Sequence, residues 1–207
     1  MVKKADIPRH IVDTALALAA SQGWRDTRLG DIAAAAKLPL GDVLAVYPSK
    51  TAIITAYSRR IDSDVLRAID ADMADESPRD RLFDVMMRRF DALSPDRDAV
   101  RSVLCDTLRD PLSAVCGAFT LRRSMAMMLE AARISASGLA GAIRVKGLSA
   151  IFLSVLRVWL KDDSDDMSQT MTALDRALRR AEFCIGLCRF PSRSRSPEEA
   201  EPEAGIA

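Results

Sequence analysis

The chain has 207 residues, 49% of them hydrophobic, with 30 Lys+Arg against 29 Asp+Glu and a formal charge of +1. That length suits one sizeable core or a small head with a larger body. The near-neutral balance does not announce a nucleic-acid binder, which usually asks for a basic surface, although a local patch is enough.

The N-terminal MVKKADIPRH lacks the apolar stretch and small-residue cleavage site of a secretory signal, and no run of about eighteen apolar residues predicts a membrane span. The expected compartment is the cytoplasm. From Ile7 to Ala20, apolar residues recur at Ile11, Ala15, Leu18 and Ala19, a helical stripe that Gly23 stops. Thr27 offers an N-cap for a short helix over Arg28 to Ala36. Pro39 suits the first turn of a helix at Leu40 to Val46. Pro48-Ser49 breaks that helix, and Ser49 caps a long fourth one reaching about Ala71.

The polar stretch DADMADESPRD marks the boundary between head and body. The expected division is a head at 1–50, a connecting helix and linker at 51–76, a body at 77–188 and a disordered tail at 189–207. Five body helices follow in the pattern: Pro78 to Leu93, Arg97 to Leu108, Leu112 to Ala132, Leu139 to Leu160, and Met167 to about Cys188. The whole reads as an all-α chain of about nine helices, with no internal repeat.

IVDTALALAASQGW, TRLGDIAAAAKL and LGDVLAVYPSKTAI, in that order and spacing, resemble the DNA-binding head of TetR-family transcriptional regulators. The likeness covers about a quarter of the chain. It implies a TetR-like fold: a three-helix head, a helical body that dimerises and holds a small ligand, and an operator in double-stranded DNA released when the ligand binds. On that resemblance the DNA-facing positions are Thr27, Arg28, Leu40, Gly41, Asp42, Leu44, Ala45, Tyr47 and Lys50.

The third helix departs from the family pattern. It contains no Arg, Lys, Asn or Gln, the side chains that pair with base edges. From Met1 to Lys50 there are seven cations and five anions, a net of +2. Asp42 in a groove is repelled by phosphates unless it accepts from a cytosine amino group. Lys50, Thr27 and Arg28 are then expected to grip phosphates, the last two at a helix N-terminus. Tyr47 either donates its hydroxyl to the DNA backbone or packs the head. Leu40 and Leu44 share a face and are either core or an exposed apolar contact.

Soft and aromatic side chains recur in the body at helical spacing. Met86, Phe90, Met125, Met128, Phe152 and Trp159 are the candidate lining of an apolar pocket, with plain core packing as the competing reading. Gly138, Gly141 and Gly147 permit close approach of another helix or only lower helix propensity. The last two long helices are the expected dimer surface. The final one carries Leu174, Leu178, Ala181, Ile185 and Cys188 on one stripe and is basic elsewhere, which suits pairing with its symmetry mate, an anionic membrane surface or an ordinary surface helix of the body.

VLRVWLKDDSDDMSQTMTALDRALRRAE, Val155 to Glu182, is similar to the C-terminal segment of the ubiquinone-biosynthesis lipid-binding proteins. These share the TetR fold without acting as repressors. That resemblance implies an accessory protein that presents lipids to a partner enzyme, with a membrane surface as a further contact.

Catalysis has little support, since His10 is the lone histidine and no phosphate loop or nucleophile triad can be assembled. No cofactor is expected. Cys105, Cys116, Cys184 and Cys188 read as buried free thiols rather than a zinc site. Asp162, Asp163, Asp165 and Asp166 read as a helix-capping turn rather than a cation loop.

Overall fold

The computed structural model describes residues 6–69 and 76–187. Among them are nine α-helices, one short 3-10 helix and no strand. Part of the acidic linker and the expected tail at 189–207 lie outside the described residues.

The head is built from α1 (Ile7–Gln22), α2 (Leu29–Ala35) and α3 (Leu40–Val46). Ile11, Val12, Ala15, Leu16 and Ala19 of α1 are buried and meet Ile32, Ala33 and Val43. The turn from α2 to α3 is closed at Lys37, which takes a left-handed φ of 55°. Lys37 N donates to Ala34 O and Leu38 N to Ala33 O, satisfying the last carbonyls of α2. His10 adds a ring-nitrogen contact to Ala36 O at 3.1 Å. α4 (Lys50–Arg67) begins at Ser49, whose hydroxyl accepts from Ala52 N at 3.1 Å.

The body contains α5 (Pro78–Leu93), the 3-10 turn Ser94–Asp96, α6 (Arg97–Thr107), α7 (Pro111–Ala131), α8 (Gly138–Trp159) and α9 (Ser168–Leu187). Ser77 caps α5 and Asp110 caps α7, each followed by proline where the missing N–H costs nothing. Phe90 stacks on Phe152 at 5.5 Å and tilts against Trp159 at 5.9 Å, joining α5 to α8.

Three structural expectations are corrected. The glycines of α8 do not all meet a neighbouring helix: Gly141 lies against the Ala136 backbone of its own loop, Gly147 faces open space, and Gly138 serves its φ of 68°. Leu174 and Leu178 of α9 are buried in the chain's own core, so this part of the stripe is not free to pair with a second copy. Cys105 is exposed and Cys116 half-buried, because both lie on the outer sides of α6 and α7. Cys188 lies outside the described residues.

α8 is also long and apolar enough to cross a membrane, with a mean hydropathy of 1.7 over its best window. That exceeds what the sequence pattern was expected to hold. One face of this helix, Val145, Leu148, Phe152, Val155, Leu156 and Trp159, is buried in the core.

Candidate DNA interface and ligand cavity

α3 keeps one residue for the head core, Val43, and turns the rest outward. Leu40 is 45% and Leu44 42% exposed, and Gly41, Asp42 and Ala45 are exposed beside them. The two leucines are therefore surface, not core. Arg28 precedes α2 and is exposed, but its backbone N–H is taken by Asp31 Oδ2 at 2.7 Å. A carboxylate already occupies the place where a phosphate was expected at this helix start.

Two expected phosphate contacts are spent inside the protein, and Tyr47 takes the packing alternative. Thr27 is fully buried, donates its hydroxyl to Gly23 O at 2.8 Å and accepts from Gln22 Nε2. It closes the turn after α1 and does not cap α2, where Arg28 is the N-cap. Lys50 donates its ammonium to Trp24 O and lies over the Trp24 ring, 4.6 Å from its centroid. Burial presses its pKa down, with Asp106, Asp26 and Asp31 opposing. Tyr47 packs against the core and reaches Pro8 O with its hydroxyl at 3.4 Å. Nothing local in the sequence separates a lysine on DNA from one capping a turn, because the partner carbonyl is 26 residues away.

The same turn fastens the head to the body. Trp24 N donates to Ser102 Oγ and Arg25 N to Asp106 Oδ2, both at 2.7 Å, so α6 accepts two backbone donors of the head. Arg60 of α4 adds a bridge, pairing with Asp13 of α1 and with Asp96 at 3.9 Å.

Directly behind this seat lies a cavity of about 300 Å³. Leu16 and Trp24 form its head-side wall, and Ile54, Tyr57 and Ile61 of α4 another. α6 contributes Val100, Val103 and Leu104, and α7 closes it with Gly117, Thr120 and Leu121. Phe152 and Leu156 of α8 form the floor. Of the six residues expected to line a pocket, Phe152 alone does so here. Met86, Phe90, Met125, Met128 and Trp159 have no exposure at all and fill the core behind it. Their softness at helical spacing is the packing of α5 against α7 and α8. The residues that do line the cavity are mainly Leu, Ile and Val with interspersed Ser and Thr, which no sequence pattern sets apart from core.

One charged group stands in that wall. Arg89 of α5 is 4% exposed and pairs with Asp62 of α4, Nη1 to Oδ1 at 2.5 Å. Ser124 Oγ donates to the same carboxylate oxygen at 2.5 Å. Burial presses the guanidinium toward neutrality, and Asp62 holds it charged. A second, open groove of about 410 Å³ runs between α7 and α8 past Phe119, Arg122 and Arg123. It is a surface trough, and the first cavity is the better enclosed by apolar walls.

The arrangement is a TetR-like fold. A TetR transcriptional regulator from Nitrosomonas europaea superposes with a TM-score of 0.71 at 28% identity, over 86% of this chain and 98% of that one. A second TetR transcriptional regulator, from Rhodococcus sp. RHA1, gives 0.63 at 19% identity over 86% and 97%. Thermus thermophilus FadR, a TetR-family transcriptional repressor in complex with lauroyl-CoA, gives 0.55 at 19% identity over 96% and 100%. No family model and no curated protein matches the sequence. Similarity to the ubiquinone-biosynthesis proteins does not appear among these matches.

Proposed function

We propose that the protein is a dimeric, cytoplasmic transcriptional repressor that holds an operator through α3 and lets it go when a small apolar ligand enters the body cavity. The observation that carries this reading is the shared wall. Leu16 and Trp24 belong to the head yet line the cavity, and Trp24 is seated on α6 through Ser102. A molecule that fills the cavity pushes on the helices that set the head's position, and only a ligand with different affinity for the two positions shifts their populations. The lauroyl-CoA complex of Thermus FadR supports an acyl or similarly apolar ligand.

Base reading by α3 then rests on an unusual set. Leu40 and Leu44 offer apolar contact to thymine methyls, and Asp42 an acceptor for a cytosine amino group. Gly41 and Ala45 let the helix approach closely. Arg28 and Lys37, before and after α2, are exposed cations of the head.

The second reading is a lipid-binding accessory protein with no sequence-specific DNA contact, favoured by the absence of any cationic or amide side chain on α3. Selection of bound fragments from the source genome by purified protein separates the two. The repressor reading expects one enriched motif with two half-sites about one helical turn apart, 34–36 Å. Enrichment of no motif at any salt, with lipid recovered on extraction of the protein, overturns it.

A further inference from the structure

We propose that the body cavity selects apolar molecules carrying one neutral carbonyl-type acceptor, which Arg89 meets with its Nε–H. This rests on the reading above that the cavity is a ligand site, and it adds the chemical class of the ligand and the residue that chooses it.

Arg89 spends Nη1 on Asp62, but its Nε is buried and has no hydrogen-bond partner among the described residues. A buried donor left unmade is rare, because desolvation is not returned. Arg89 lines a cavity whose wall also carries Ser and Thr hydroxyls, but none of them reaches its Nε, so an acceptor must come from what enters. Tyr57, a residue 6% exposed on the same cavity, has the second such group, its buried hydroxyl. Asp96 lies near it, yet the hydroxyl makes no hydrogen bond of acceptable geometry. Burial first, and Asp96 after it, keep that hydroxyl protonated, hence a donor. Arg89 lies near enough to act on it electrostatically.

Two donors on one cavity suit an oxygen with two lone pairs. Charge decides which oxygen. Arg89 and Asp62 cancel, so the wall offers hydrogen bonds without net positive charge. A carboxylate here would be one uncompensated buried charge. An ester, amide, ketone or lactone carries the acceptor without that cost.

The test uses the full chain and three probes that share a ten-carbon chain: decane, methyl decanoate and decanoate. Binding is followed by calorimetry and by tryptophan fluorescence, since Trp24 lines the cavity. The expected result is methyl decanoate about tenfold tighter than decane, the worth of roughly one net hydrogen bond, with decanoate weaker than the ester. Replacing Asp62→Leu and Arg89→Met together removes the pair without leaving a lone charge. It should remove most of the ester's advantage over decane and leave only the few-fold part that Tyr57 supplies. Tyr57→Phe, a milder change, should lower ester affinity a few-fold. Equal binding of ester and decane by the wild type overturns the proposal, as does tighter binding of decanoate, or an undiminished preference in the double variant. Should the double variant not fold, the wild-type series and Tyr57→Phe decide alone. Failure of all three probes to bind counts against the ligand site itself, a different result from failure to discriminate.

Discussion

Asp162 accepts four hydrogen bonds with one side chain. Ser164 N and the Ser164 hydroxyl reach Oδ1, and Thr170 N and its hydroxyl reach Oδ2 at 2.8 and 2.7 Å. Desolvation pushes its pKa up, but these donors outweigh it and hold the group at about 2, below its ordinary 3.8. The folded value lies below the unfolded one, so the stabilisation is complete above about pH 4 and is lost as pH falls toward 2. Its neighbours Asp163 and Asp165 are exposed, so solvent screens part of the effect. Asp162→Asn should therefore cost on the order of 1–2 kcal/mol near neutral pH, with the gap to wild type closing as pH drops through that window. Urea unfolding at a series of pH values measures it, and a gap independent of pH would refute the assignment to charge. The Asp-rich turn was legible as a capping turn. That Asp162 rather than its neighbours does the holding was not, because the decisive partner, Thr170, is set by where α9 packs.

At the scale of elements, the sequence located nearly every helix. α3 and α5 have the bounds that Pro39, Pro48 and Ser94-Pro95 dictate, and most others shift by a residue or two. Proline and capping residues act locally, which is why their positions could be read. The failures are those of long-range geometry. Position in the family pattern assigns Lys50 to a phosphate, yet its partner is the Trp24 carbonyl, 26 residues away. The methionines were assigned to a pocket by type, yet a buried core and a cavity wall draw on the same residue types. The α8 glycines show the same limit. At Gly141 a Cβ would collide with the Ala136 carbonyl, whereas at Gly147 it meets nothing. Gly141→Ala should accordingly destabilise by about 1–3 kcal/mol through a forced shift of the loop before α8. Gly147→Ala should stabilise by a few tenths to about 1 kcal/mol through helix propensity. Thermal melts of the two variants should move in opposite directions, and a parallel loss in both would mean that Gly147 too is covered in the working assembly.

For the whole molecule, the face that would meet a second copy under the proposed function has to be sought where apolar side chains are left uncovered. Leu112, Val115 and Phe119 fall at i, i+3 and i+7 on α7, and Leu139 and Ile143 share a face of α8. Leu112 is 74% and Phe119 67% exposed, far more open than the leucines of α3. Single exposed apolar residues need no explanation, but stripes on two adjoining helices, with Phe119 in the groove between them, suit the proposed contact surface. α9, expected to share the interface, has Leu174 and Leu178 committed to its own chain and shows Met171 as its large exposed apolar residue among those described. The dimer face is thus proposed to move from α8 and α9 to α7 and α8. Phe119→Asp places a charge at the centre of that face. A truncated hot-spot residue commonly costs 2 kcal/mol or more, so dimer affinity should fall by at least about 30-fold. Sedimentation equilibrium reads this directly. Met171→Asp on α9 should leave the association intact; the reverse pattern, with Met171→Asp dissociating the dimer and Phe119→Asp harmless, would return the interface to α9. The consequence reaches the DNA. α3 has few cations beside it, so one head grips weakly, and a useful operator affinity depends on two heads held on one duplex. Phe119→Asp should then abolish operator binding without touching any residue of the head.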